Sequence, residues 1–345
     1  MMKILVYGAG AIGGYLGARL LSGGSEVVML DRPSMADALN EQGLIVEEAG
    51  EKLHVRPQAV SSLAEAYAIH SAYDLVVLGL KSYDLPIALQ DLAANGQDEA
   101  TIFTVQNGIG IEEPFIETFG YNRVLPGSLT TPVSKKDSFH LIVERSDRGL
   151  GLAPARPEQA IDKWVSLFND AGIDTVALAN AESMKWSKAF LNIVSNASSA
   201  ILDMTPGEVY RDPDLFKLEV AMLRETTAVM ARRNLQVVNL PGSPARSLAL
   251  AVQYAPRFLL KPILTKIVAG GRGDKMPSFY IDLESGRGKS EVIYHNGAIA
   301  AAGEDLGIPV PVNRLLNDTL FALTNGELDR QEFANNPRRL LSELE

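Results

Sequence analysis

The apolar positions of this chain follow two regimes. Over its first half, short apolar runs alternate with stretches of helical spacing, and over its second half only the helical spacing remains. The runs KILVY (3–7) and EVVML (26–30), with helical spacing over 11–21 between them, predict a βαβ unit at the start. Residues 44–46 and 53–55 flank EAGE like a hairpin, while 74–80, 101–105 and 122–125 read as buried parallel strands. Residues 139–144 and 149–153 suggest a later antiparallel addition, 157–171 a helix beginning at its proline, and 174–177 the last strand. From there on, helices are predicted over 182–202, 214–233, 290–306 and 312–323. The predicted fold class is α/β: a parallel-sheet domain over 1–178 followed by an all-helical domain over 179–345. Residues 236–276, rich in Pro, Gly and basic side chains, form an insertion too apolar for a linker.

Candidate chemistry begins where the first strand ends. Gly8, Ala9, Gly10, Ala11, Ile12 and Gly13 spell GAGAIG, a GxGxxG that follows a strand and opens a helix. In that setting Gly8 can make the turn, Gly10 can admit a pyrophosphate, and Gly13 can let helix and strand approach, so the first domain reads as a Rossmann dinucleotide-binding domain. The second strand ends at Leu30-Asp31-Arg32, where such domains choose their cofactor. Arg32 could pair bidentately with a 2′-phosphate and tips the reading to NADP (NADPH), whereas Asp31 suits a ribose hydroxyl and keeps NAD open. Both residues could also simply precede a helix starting near Pro33. Lys81 in LGLKSYD and Asn107 in VQNGIG follow two predicted strands, where ligands collect in open α/β sheets; their plain readings are a solvated lysine and a turn residue.

In the helical half, WSKAFLNIVSNASSAI spaces Lys188, Asn192 and Asn196 at intervals of four. On one helix each such step rotates about 40° and climbs about 6 Å, so an ammonium and two carboxamides would project in a row. Asn is a mediocre helix former and an unpaired buried amide costs about 1–3 kcal/mol, so a polar ligand along that face would account for the pair.

Composition narrows the partners. At 345 residues the chain suits two domains, and its 46% apolar content is that of a globular protein. A net charge of -10 argues against nonspecific binding to nucleic acid or to anionic membrane. There is no cysteine, which excludes disulfides, thiolate metal sites and a Cys nucleophile and makes the cytoplasm the default address. The start MMKILVYGAGAIGGYLGARLL could mimic a secretory signal, but its glycines make better sense as a strand, turn and helix, and no run of about 20 apolar residues would span a bilayer. The four histidines are isolated and no metal motif is visible. The apolar helices and the insertion permit a homodimer without requiring one.

Taken in order, GAGAIG, LGLKSYD, VQNGIG, WSKAFLNIVSN, PSFYIDLESGRGKSE and GIPVPVN resemble the ketopantoate reductase family (2-dehydropantoate 2-reductases) over almost the whole chain. The resemblance implies a Rossmann domain followed by a helical domain, and reduction of the 2-keto group of ketopantoate by NADPH on the way to pantothenate and coenzyme A. It makes Lys188 the general acid, Asn192 and Asn196 substrate binders, and Asn107 a residue at nicotinamide and substrate, with Ser278 and Glu291 completing the pocket and Glu291 also reaching the cofactor. Hydride arriving at a ketone carbon leaves charge on oxygen, which a protonated lysine stabilises and quenches. The Asn amides suit a carboxylate or hydroxyl of a small keto acid. Two departures stand out. The stretch from Asp282 to Glu291 is one residue longer than the family's spacing, although the following YHNG keeps the register. The insertion is also larger, and its Arg257, Lys261, Lys266, Arg272 and Lys275 could meet a more acidic substrate, or the insertion could be a packing or subunit element. Competing readings are a two-domain dehydrogenase for another 2-keto or 3-hydroxy acid and a non-enzymatic nucleotide sensor. A catalytic His is disfavoured, since His54, His70 and His140 fall in the first domain and His295 reads as structural or exposed.

Overall fold

The computed structural model describes the backbone of residues 1–96, 99–271 and 275–344. Its contacts divide the chain into two compact units: Met1–Gln106, Ile111–Met184 and Leu240–Ser243 in one, and Asn107–Gly110, Lys185–Asn239 and Pro244–Glu345 in the other.

The first unit is built on an eight-stranded sheet. Its strands are β1 (Lys3–Tyr7), β2 (Glu26–Leu30), β5 (Gln58–Val60), β6 (Leu75–Leu78), β7 (Thr101–Thr104), β8 (Val124–Leu129), β11 (Leu150–Leu152) and β12 (Thr175–Ala177), and their spatial order is 12-11-8-7-6-1-2-5. From β5 through β8 every pairing is parallel; β11 runs antiparallel to β8, and β12 parallel to β11. The continuous apolar runs of β1 and β6 are buried throughout or nearly so, as strands covered on both faces require. Chain order reverses between β1 and β6, the switch point where open α/β sheets bind ligands.

A smaller sheet joins β3 (Leu44–Glu48), β4 (Glu51–Val55), β9 (Val133–Lys135) and β10 (His140–Val143) in the order 4-3-10-9. The expected hairpin is present, turning at Ala49 and Gly50 with positive φ. The 139–144 run does not extend the main sheet: β10 pairs parallel with β3 and antiparallel with β9, and His140 meets Glu47 at 2.9 Å. The helix expected from Pro157 begins only at Asp162, because Gln159 folds back to accept from Ala155 N (2.6 Å) and to donate to Val124 O (2.9 Å). Residues 240–243 also belong to this unit: the Leu240–Ser243 turn receives Thr130 Oγ1 on Pro241 O at 2.8 Å, and Arg148 on Gly242 O and Ser243 Oγ.

The second unit is all helical, around a core that includes Phe190, Ile201, Tyr210, Leu223, Phe279 and Leu316. The long helix Pro213–Arg232 is capped by Asp212, whose carboxylate accepts from Asp214 N and Leu215 N. The helix Pro311–Asn325 is anchored by Glu225, which accepts from Val312 N and Asn313 N at 2.9 Å each. The expected helix over 182–202 is two helices, Ala181–Asn192 and Asn196–Leu202. Ser195 between them has φ 51°, and its N–H goes to Glu219 Oε2 at 2.8 Å instead of continuing the helical ladder. The stretch over 290–306 opens with a 3₁₀ turn, Glu291–Tyr294, before the α-helix Asn296–Asp305. The insertion forms the helices Ala245–Tyr254 and Arg257–Gly271.

Candidate active site

In the first unit, the turn after β1 has the shape its glycines predict. Gly8 has φ +99°, and an added Cβ at Gly13 would collide with the Gly8 carbonyl oxygen and stand 3.0 Å from Gly79 Cα. The turn is fixed by Gly8 N donating to Leu30 O and Gly79 N donating to Tyr7 O, each at 2.8 Å. At Gly10 an added Cβ would find only Gly79 O, at 3.5 Å, so the space over that residue is open. Gly10 is also the N-cap of the helix Ala11–Ser22 and brings no side chain to its first N–H groups. An open, uncapped helix start bordered by Cβ-free backbone fits the pyrophosphate of a dinucleotide. Ala9, Ala11 and Ile12 shape this turn, and Asp31 Oδ2 accepts from Ala9 N at 2.7 Å.

Lys81 is exposed in the turn after β6. Gln106, buried at the end of the next segment, holds that turn by donating Nε2 to Leu78 O (2.6 Å) and Leu80 O (3.0 Å). Asn107 follows it and is exposed.

In the second unit, Lys188 and Asn192 lie one turn apart at the end of the helix Ala181–Asn192, both half-buried. Asn196 does not extend their row, because the chain breaks at Ser195. The break is held from a distance: Glu219, fully buried, takes Ser195 N, Ser198 Oγ at 2.6 Å and Tyr210 OH at 3.3 Å on its carboxylate. Asn196 is also buried, and the protein itself occupies its amide: Nδ2 donates to Ser278 Oγ at 3.2 Å, and Oδ1 accepts from Phe279 N at 3.1 Å. Asn196 therefore fixes the start of the helix Ser278–Glu284, and these protein partners account for its burial without a ligand.

The other expected residues converge through a side chain that sequence reasoning set aside. His295 is buried rather than exposed. Its Nδ1 is 3.0 Å from Glu291 O, a carbonyl that can only accept, so Nδ1 carries a proton, and Nε2 faces Asn192 Nδ2 at 3.5 Å. Its ring meets Phe279 edge-on at 5.3 Å. Thus His295 joins the segments of Asn192, Glu291 and Ser278, and Ile109 N donates to Tyr294 O at 2.8 Å to bring in the Asn107 loop. The one signal for His295 was its place in YHNG, four residues after Glu291.

Glu291 is buried at the start of its 3₁₀ turn. The extra residue before it is absorbed in an exposed loop where Gly286 and Gly288 both take φ +63° and an added Cβ would touch nothing within 4 Å. From the insertion, Lys261 donates to Arg211 O at 3.3 Å and lies over the Phe216 ring, so it packs on the helical unit rather than offering a free cation. Lys275 is exposed, whereas the side chains of Arg257 and Lys266, and Arg272 altogether, lie outside the described residues. Among the described residues no group of three or more His, Asp or Glu could hold a metal ion, and no helix is long and apolar enough to cross a membrane.

Two family profiles match: "Ketopantoate reductase PanE/ApbA" over residues 4–149 and "Ketopantoate reductase PanE/ApbA C terminal" over residues 180–324. The chain belongs to the ketopantoate reductase family. This family of oxidoreductases joins a Rossmann-type sheet domain to a helical C-terminal domain, as seen here. The 2-dehydropantoate 2-reductase of Pyrococcus horikoshii is 27% identical over 320 residues, covering 91% of this chain and 95% of the relative. That of Archaeoglobus fulgidus is 27% identical over 327 residues, covering 94% and 99%. Among solved structures, a PanE/ApbA family ketopantoate reductase from Ralstonia eutropha JMP134 superposes with TM-score 0.78 at 24% identity, covering 96% of this chain and all of that one. D-mandelate dehydrogenase with NADH and anilino(oxo)acetate superposes with TM-score 0.77 at 20% identity, covering 94% and 99%. The ketopantoate reductase fold thus serves relatives with different names, and the fold alone does not choose among substrates.

Proposed function

We propose that this member of the ketopantoate reductase family reduces the 2-keto group of ketopantoate to the hydroxyl of pantoate. A bound nicotinamide dinucleotide would supply the hydride. The turn Gly8–Gly13 would hold its pyrophosphate on the open start of the helix Ala11–Ser22, with Lys81 and Asn107 at the ends of neighbouring segments completing the cofactor's surroundings.

The observation that carries the reading is the pairing of Lys188 with Asn192, half-buried and one turn apart on a helix whose end is fixed by buried partners. The Lys188 ammonium stabilises negative charge developing on the keto oxygen and gives up a proton to it. Asn192, its Nδ2 facing His295, carries a carboxamide of the kind that would hold a substrate hydroxyl or carboxylate. Glu291 and Ser278 would complete the pocket, the carboxylate of Glu291 suiting the terminal hydroxyl that distinguishes ketopantoate from simpler 2-keto acids. Asn196 enters as the residue that seats Ser278.

Coenzyme absorbance followed with purified protein and a panel of 2-keto acids tests this. Ketopantoate is expected to give the highest kcat/KM. Faster turnover of an aromatic or unbranched 2-keto acid would move the chain to another substrate within the same family, and no turnover with any would sink the proposal.

A further inference from the structure

His295 is 1% exposed, and its place is set by backbone as well as by packing. It stands at the N-cap of the helix Asn296–Asp305, with its N–H donating to Val292 O and its carbonyl accepting from Ile299 N, each at 3.0 Å. The next residue, Asn296, is fully buried and donates Nδ2 to Asn313 Oδ1 at 3.1 Å. From this anchored segment Nδ1 reaches back to Glu291 O at 3.0 Å, and Phe279, whose own N–H is held by Asn196, stands edge-on to the ring. The imidazole has little freedom to turn.

Asn192 is the opposite case. It is the last residue of the helix Ala181–Asn192, half-buried, and the chain leaves the helical path at Ser195. The torsion that turns a carboxamide is broad, so the backbone alone does not fix which way its oxygen and nitrogen face. Its Nδ2 lies 3.5 Å from Nε2 of His295, a rigid neighbour 103 positions further along the chain.

An apolar side chain would fill the interior beside Phe279 without taking two ring nitrogens out of water, so packing alone does not call for a histidine. An imidazole serves two groups at once, the Glu291 carbonyl at one nitrogen and the Asn192 amide at the other. We infer that His295 is a positioning residue for the reduction. Its ring orients the Asn192 carboxamide toward the substrate, one turn from Lys188, while the ring itself stays buried. The inference rests on the reductase reading above and adds a residue to it.

The two nitrogens are tested apart by two substitutions. His295→Asn keeps a donor near the place of Nδ1 but is too short to meet Asn192, whereas His295→Gln reaches the place of Nε2. With the 2-keto acid that the wild type turns over fastest, kcat/KM should fall about tenfold or more in His295→Asn and several-fold less in His295→Gln. In an Asn192→Ala background, His295→Asn should cost less than about a further twofold, because the group it positions is gone. An equal loss in both backgrounds is what a merely structural histidine gives, and it would overturn the inference, as would a greater loss in His295→Gln than in His295→Asn. Asn192→Ala leaves the ring in place, so nitrogen NMR shifts of His295 in that variant and in the wild type test the contact even where a His295 variant fails to fold. The Nε2 resonance should move and the Nδ1 resonance should stay; an unmoved Nε2 resonance would also overturn the inference while the reductase reading stands. Absence of turnover with every 2-keto acid would sink the reductase reading, and the inference with it.

Discussion

The turn after β1 and the break before Asn196 are both backbone departures at the start of a helix, and they are built in opposite ways. The turn is local. Gly8, Gly13 and Gly79 interlock because none has a Cβ, and every residue that forces the shape lies in the turn or on the neighbouring strand end. The break is remote. Ser195 takes a positive φ because Glu219, on another helix, captures its N–H, and Asn196 then meets Ser278 and Phe279 from beyond the insertion. Steric exclusion at a glycine can be read from a short motif. A buried carboxylate that reorganises a helix cannot, because its partners have no fixed spacing.

The largest effect should come from the local device. Gly13→Ala drives a methyl into the Gly8 carbonyl and against Gly79, and nothing but backbone can give way. We expect loss of measurable coenzyme binding together with a lower melting temperature. Binding within a few-fold of wild type would break the claim that this contact shapes the turn.

At the break, Glu219→Ala strands Ser195 N and Ser198 Oγ in the core, an expected loss of about 3–5 kcal/mol in denaturant unfolding, against about 1–2 kcal/mol for Glu219→Gln. Equal costs for the two variants would contradict a charge-assisted role. Asn196→Ala should cost about 1–3 kcal/mol by leaving Phe279 N without its acceptor, and should raise KM more than it lowers kcat, since Ser278 loses its seat. The reverse pattern would return Asn196 to direct contact with the reacting atoms.

The smallest effect is a pH dependence. Burial pushes the Glu225 carboxyl above its ordinary value, against the pull of Val312 N, Asn313 N and the Asn313 side chain. The folded state then holds the proton more tightly than the unfolded one, so this stability is present below the ordinary carboxylate value and is lost as pH rises through the raised one. The wild type should therefore lose stability relative to Glu225→Gln as pH increases from about 4 to 7. A wild type that instead gained stability relative to Glu225→Gln over that range would show the three N–H donors prevailing over burial.

Much of the fold was legible because its signals are local. Apart from β5, which no apolar run announces, the strands of the main sheet fall within a few residues of their apolar runs, and the hairpin turns where EAGE predicts. What was hidden depended on partners distant in sequence. The 139–144 run looked like any strand, and its destination was set by β3, nearly a hundred residues earlier. The helix expected at Pro157 was held off by Gln159 reaching the start of β8. In the site, the interval of four correctly placed Lys188 and Asn192 on one helix but could not foresee that Asn196 begins another. Of the two readings of His295, structural or exposed, the structural one holds, but nothing in its neighbourhood marks an isolated histidine as the group against which Asn192 rests.

The central claim is that Lys188 protonates the reduced oxygen, and single-turnover reduction of ketopantoate by coenzyme-loaded Lys188→Ala tests it most directly. The account expects the reduction step to slow by about 10²- to 10⁴-fold while the coenzyme's dissociation constant stays as in the wild type. An unchanged rate of that step would contradict it.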